Sequence, residues 1–392
     1  MLGRIFIIYL ILQPVFNKFL SSTSTLLSSL DQFFILIFGS AFLIKIVYTK
    51  TVKTRYLYII IPAGYFLFLW FYNSLPARNI LQIFLYIQIF IIYTWFNSNK
   101  YIYKNKQFHF LFRSAKIIFY ISIIFVFVNI IEPGLIKGFY GIPPTYGRGF
   151  DGISITSFFG TRTAYSQFLL IFIVLVVFNR NLTKKYRNIF LLISFVLLMM
   201  TFSRKETLVA CLILITLFWK KIDRSYIKLL IPILFGSIII FYYLSFFNQA
   251  NAAIFEESYI RWRIADYSFQ IIEDFFPFGS GPGTFGSQLS MSYSKIYDLY
   301  NVPKAITGTV SERGPIFDSF IFSFTAEIGI GIIFYIYYYY KIYKAKLLYV
   351  FKGLNHIKLV LIISIFLLSF FNPMIMNPVG FTLILILALV NR

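Results

Sequence analysis

Arginines and carboxylates set in otherwise apolar sequence are the residues of this chain best able to do chemistry. Ser203-Arg204-Lys205-Glu206 interrupts an apolar run from 189 to 219, and Arg162, Arg261 and Arg263 flank other apolar or amphipathic stretches, with Arg78, Arg148 and Arg313. A guanidinium is planar, always charged and offers paired N–H donors, so a set of arginines suits an anionic, phosphate-bearing ligand. Asp318 follows Gly314-Pro315-Ile316-Phe317, and Glu327 comes nine residues later. A carboxylate shielded from water can serve as a general base toward a hydroxyl; at a helix start it can equally be there to favour the macrodipole. Asp318 carries both readings. Glu327 is either a ligand-binding group or a buried structural one. The run Phe278-Gly279-Ser280-Gly281-Pro282-Gly283-Thr284-Phe285-Gly286 is neither a Walker A loop, lacking Gly-Lys-Ser/Thr, nor a dinucleotide turn, since no strand precedes it. Gly281 and Gly283 can present backbone N–H groups to an anion, or they mark a tight turn ending a helix.

Other chemistries find no residues. The two histidines, His109 and His356, fall in basic connections, there is no His-Glu-x-x-His, and Cys211 is the single cysteine. No metal and no cofactor is expected, because arginines can take a cation's electrostatic part.

What must position these residues follows from composition. The 392 residues are 59% hydrophobic and 13% charged, with a formal net charge of +22; a soluble chain carries roughly 25% charged residues. Such a chain cannot cover its surface in water, which excludes a soluble enzyme, a coiled coil and a disordered chain. A lone cysteine excludes a disulfide scaffold. The apolar runs are long and continuous rather than the ~10-residue alternating segments of a barrel, predicting an all-α polytopic integral membrane protein with about 12 transmembrane helices. The spans fall near 5–20, 26–48, 56–72, 79–96, 117–131, 163–179, 189–202, 207–219, 229–247, 316–340, 357–371 and 379–390.

Assigning the connections to alternate sides gathers 24 basic residues and a single acid, Asp223, on one side. By the positive-inside rule that side, with both termini, is cytoplasmic. The positive charge is therefore topogenic and does not call for nucleic acid. Residues 1–20 read as a retained helix, since no small-residue cleavage site follows. The chain is one membrane domain, 1–392, with a smaller extracytoplasmic loop at 132–162 and a large one at 248–315 before the tenth helix. Tyr337–Tyr340 beside Lys341 read as an interfacial aromatic belt.

Two local features stand out. The hairpin 189–219 has arms of about 14 residues, roughly 21 Å at 1.5 Å per residue, against a ~30 Å hydrocarbon core. Arg204 is then recessed below the outer surface, either facing a polar cavity or as a topogenic pair balanced by Glu206. In the large loop, 256–276 has a helical period that places Trp262, Ala265, Phe269, Ile272 and Phe276 on one face, suited to resting on the membrane or capping a cavity.

Three of these stretches together resemble the O-antigen polymerase and ligase superfamily of bacterial surface polysaccharides. Ser203-Arg204 is similar to its Ser-Arg turn, Arg261-x-Arg263-x-Ala265 running to Pro277-Phe-Gly-Ser-Gly-Pro-Gly resembles its Arg…Ala…Pro-x-Gly-x-Gly stretch, and Asp318-Ser319 before Ala326-Glu327-Ile328-Gly329 looks like its loop-to-helix signature. The likeness covers roughly 145–340; the first four spans match only in hydrophobicity. It implies a glycosyltransferase using an undecaprenyl-diphosphate-linked oligosaccharide at the outer face of the bacterial cytoplasmic membrane. Arg204 with Arg162, Arg261 or Arg263 would hold the diphosphate, with Asp318 as base. A chain-length regulator and a flippase are the implied protein partners. Ligases of the superfamily carry a histidine where this chain has Asp318, and they space the following glycines differently, which favours a polymerase. A ligase, or a flippase moving the same lipid, is the alternative; the absence of similar halves and the polar features clustered at one face favour an enzyme.

Overall fold

The computed structural model describes residues 2–20, 30–49, 54–98, 100–132, 155–218, 260–287, 290, 295–302, 320–351, 353–370 and 373–391. The regular elements among them are helical: α1 (Leu2–Leu20), α2 (Leu30–Thr49), α3 (Thr54–Tyr72), α4 (Ile80–Asn97), α5 (Tyr101–Ile131), α6 (Arg162–Phe178), α7 (Lys184–Met200), α8 (Arg204–Phe218), α9 (Ile260–Asp274), the short α10 (Lys295–Leu299), α11 (Phe320–Ile328), α12 (Ile332–Lys344), α13 (Asn355–Ser369) and α14 (Pro378–Val390). Four stretches, Leu30–Thr49, Ala77–Asn97, Tyr101–Ile131 and Phe320–Lys344, are long and apolar enough to cross a membrane. The exterior agrees with that environment. Val47, Phe71 and Ile131 are 75%, 78% and 82% exposed, in a number and size that water would drive together.

The contacts at the helix ends fall into two groups, so the bundle has two distinct ends. At one, Arg4 of α1 lies over the Phe110 ring of α5, 5.5 Å from its centroid. His109 meets Asn181 at 3.1 Å there. Lys104 donates to the Asn391 backbone oxygen at 2.7 Å and to Asn97 Oδ1 at 2.6 Å, while Lys358 donates to the Ala345 oxygen at 2.5 Å. Asn391 in turn donates to the Tyr93 hydroxyl at 2.9 Å. Two buried lysines are tolerable because carbonyl oxygens surround them; they join α4, α5, α13 and the end of α14. This is the basic end. At the opposite end lie the α3–α4 connection (73–79), the start of α6, and the α7–α8 turn, where Ile155 N–H donates to the Met200 oxygen at 3.3 Å. Between the ends α14, α6 and α4 form the centre: residues 383–390 and 168–178 are buried throughout. Lipid tails give no hydrophobic drive to pair such helices, so close packing and interhelical hydrogen bonds must hold them.

Three details depart from the sequence reading. The basic stretch 100–116 is not a loop but the first half of α5, a 31-residue helix; it contains neither Gly nor Pro, and Lys, Gln and Arg are good helix formers. The tenth span is broken at Gly329–Gly331 by a 3₁₀ turn. Of the four tyrosines assigned to an interfacial belt, Tyr338 and Tyr339 are core residues, 2% and 6% exposed, and only Tyr337 and Tyr340 face outward. A helix turns 100° per residue, so four consecutive side chains cannot share one surface. The ninth span (229–247) lies outside the described residues.

Candidate functional site

The end opposite the basic one holds the polar features in two groups. The first is built by α6, α7 and α8. Thr161 caps α6, its side chain accepting from Ala164 N–H at 3.2 Å, so Arg162 is the first helical residue. Segment 155–161 folds back over the helix ends, with Ser157 Oγ donating to the Ser122 oxygen at 2.8 Å. The α7–α8 turn passes through Phe202 in a left-handed conformation, φ 54°. Ser203 then precedes α8, donating to the Glu206 carboxylate, and Thr207 Oγ1 donates to the Ser203 oxygen at 2.7 Å. Ser-x-x-Glu before an apolar run is a capping-box spacing, a signal the sequence carried. Here it leaves Glu206 fully buried, with Arg204 and Lys205 half-buried in the same first turn.

Helices α6 and α8 pack against each other and both begin with an arginine at the same end. A helix N-terminus carries a partial positive charge, so cations there are unfavourable unless an anion sits nearby. Two arginines thus stand at the positive ends of two contacting helices, a setting that favours an anion.

The second group joins distant sequence. The glycine-rich run enters from α9 through Pro277, and residues 279–287 are buried. Non-helical backbone at membrane depth is tolerated only inside protein, and here its polar groups are met. Gly281 N–H donates to the Glu327 backbone oxygen at 2.8 Å, Ser280 N–H to the Ala326 oxygen at 2.9 Å, and Ile330 N–H to the Pro277 oxygen at 2.9 Å. The Glu327 carboxylate accepts from Gly283 N–H at 2.9 Å and Phe285 N–H at 2.7 Å, and from the Tyr86 hydroxyl. The helix break at 329–331 frees the carbonyls the loop uses. Tyr65 from α3 donates to the Ile328 oxygen at 2.8 Å, and Asn79 donates to the Pro282 oxygen at 2.7 Å. The anion met by Gly283 and Phe285 is thus the chain's own Glu327.

Helix α9 lies over this loop, and of the face its periodicity suggested only Ala265 and Ile272 meet the protein. Ile264, Ala265, Ser268 and Ile271 are buried, packed with Phe285, Tyr297 and Ala326 in a small separate core. Trp262, Phe269 and Phe276 are 58%, 57% and 73% exposed. The helix has two apolar stripes, and the protein covers the one with smaller side chains. Arg263 is half-buried beside it. Below, Tyr300 donates to Asp274 at 2.5 Å; burial, and then that carboxylate, raise its phenol above the usual range.

The sequence candidates therefore divide. Gly281, Gly283 and Glu327 are brought together, and Arg162 and Arg204 share one end of adjacent helices. Arg263 stands half-buried on α9, next in sequence to Ile264 of the smaller core. Asp318 and the Arg261 side chain lie outside the described residues, as do Arg148 and Arg313. Sequence reasoning missed Tyr86, Tyr65, Asn73 and Asn79, which line the loop; Asn73 and Asn79 bracket Ser-Leu-Pro-Ala-Arg at a span boundary, a turn signal, whereas nothing singles out two tyrosines among 30. Among the described residues no three His, Cys, Asp or Glu side chains gather as a metal site would require.

No known family's profile matches the chain, and no curated protein gives a significant match to it.

Proposed function

We propose that this chain polymerises lipid-diphosphate-linked oligosaccharide repeat units at the outer face of a bacterial cytoplasmic membrane, an undecaprenyl-diphosphate-linked oligosaccharide serving as donor and as acceptor. The observation that carries the reading is the placement of Arg162 and Arg204 at the starts of two contacting helices, at the end away from the lysine-rich one. The same reading includes about 12 spans with both termini cytoplasmic; the gathering of Lys100, Lys104, Lys106, Lys184, Lys185 and Lys344 toward the basic end supports it.

In this mechanism Arg204 and Arg162 hold the donor diphosphate and stabilise its charge as it leaves. Arg261 or Arg263 reaches it from α9. A hydroxyl of the second lipid-linked repeat attacks the anomeric carbon; the C–O bond to phosphate breaks, its electron pair stays with the lipid diphosphate, and the hydroxyl proton passes to Asp318. The loop carrying Gly281 and Gly283 is held in place by Glu327. No nucleotide sugar is consumed.

Purified chain in detergent, given its native lipid-linked repeat unit and no nucleotide sugar, should yield products spaced by one repeat unit on a mass scale. Unchanged substrate would contradict the proposal.

A further inference from the structure

The basic end holds a cavity that the proposed reaction does not use. It opens between the first turns of α1 and the start of α5, with a volume of about 500 Å³, and is lined by Arg4, Ile5, Ile8, Tyr103, Lys106 and Gln107. Two cations and an amide are among its lining, and no carboxylate is among the described residues that line it. Arg4 is held in place by its approach to Phe110, a cation–π contact. Ile5 and Ile8 are 42% and 40% exposed and, three residues apart, share a face of α1. Because α1 runs from the basic end toward the other, that apolar face leads from the two cations into the depth of the bundle exterior.

A polar, doubly cationic mouth continuous with an outward apolar track has the shape of a phospholipid: a headgroup phosphate at Arg4 and Lys106, an acyl chain along Ile5 and Ile8. Tyr103, 60% exposed, adds a hydroxyl at the depth where aromatic residues meet headgroups. We infer that this cavity is a binding site for an anionic phospholipid, whose phosphate is recognised by Arg4 and Lys106. Basic pockets between membrane helices take such headgroups, each cation adding to the attraction. The site is independent of the polymerase reading: it lies at the opposite end and needs no catalysis to be observed.

The test uses the full chain in neutral detergent, with phosphatidylglycerol or phosphatidylcholine added, bound lipid counted by native mass spectrometry and the thermal midpoint recorded. Wild type should retain phosphatidylglycerol in preference to phosphatidylcholine and be stabilised by it. Arg4→Gln/Lys106→Gln should weaken that retention by on the order of tenfold. Lys184→Gln/Lys185→Gln, which removes the same charge from the exposed start of α7, should leave it unchanged. The charge-preserving swap Arg4→Lys/Lys106→Arg should keep the preference, which separates lost recognition from lost folding. Equal retention of both lipids, equal loss in both double glutamine variants, or equal stabilisation by inorganic phosphate would each overturn the proposal.

Discussion

A carboxylate among apolar helices is costly unless donors surround it, and at Glu327 three do: two loop amides and the Tyr86 hydroxyl. Tyr86→Phe removes one donor and should lower stability by about 1 kcal/mol, whereas Glu327→Gln turns an acceptor into a donor facing N–H groups and should cost about 2–3 kcal/mol; unfolding midpoints in detergent would rank them. The glycines opposite are constrained as tightly. A Cβ on Gly329, at φ +52°, would sit 2.2 Å from the Pro277 oxygen, and one on Gly279, at φ +80°, 2.6 Å from the Gly329 nitrogen. Both neighbours are backbone, so Gly329→Ala should be severely destabilising. Gly64, mid-helix with nothing within 4 Å of its added Cβ, should instead gain about 0.5–1 kcal/mol on substitution by alanine. The same thermal series measures both. Glu327 was noticed in the sequence because a carboxylate is rare in an apolar run; its partners were not, because Gly283 and Phe285 are more than 40 residues away and no periodicity links them.

Helices were the most legible level of this chain. Their apolar lengths and polar breaks located α1 to α4, α6 to α8 and α11 to α14 within a few residues, since a run too apolar for water and too long for a strand has one secondary structure open to it; α5 begins 16 residues before its apolar run. The break between α11 and α12 was hidden: Gly329 and Gly331 are common enough in membrane helices to pass unnoticed, and only the docked loop makes use of the freed carbonyls. The second apolar stripe of α9 was not singled out in the sequence, because Trp262 and Phe269 outweigh Ile264 and Ile271 in any hydrophobic pattern, although the small core has room for the latter. Capping at the arginine-bearing ends was legible in principle. Thr161→Ala removes the cap of α6 and should cost about 1 kcal/mol, seen as faster amide exchange over 162–165 with the rest of α6 unchanged; uniform protection there would show that packing alone fixes the start of the helix.

At the scale of the whole molecule, the described lysines gather largely at one end, and the orientation that implies can be read on intact cells. In a Cys211→Ser background, Ser74→Cys should react with a membrane-impermeant thiol reagent and Tyr103→Cys should not, both positions being exposed; the reverse pattern would invert the orientation. The central claim is that two arginines at the starts of α6 and α8 hold a lipid diphosphate for transfer. Its most direct test is conversion of the lipid-diphosphate-linked repeat unit by wild type and by Arg204→Ala, with thermal midpoints taken on the same samples. The account predicts a repeat-spaced ladder from wild type and loss of at least about 100-fold in rate from Arg204→Ala, at a near-native midpoint. A folded Arg204→Ala protein that builds the ladder at the wild-type rate would contradict it.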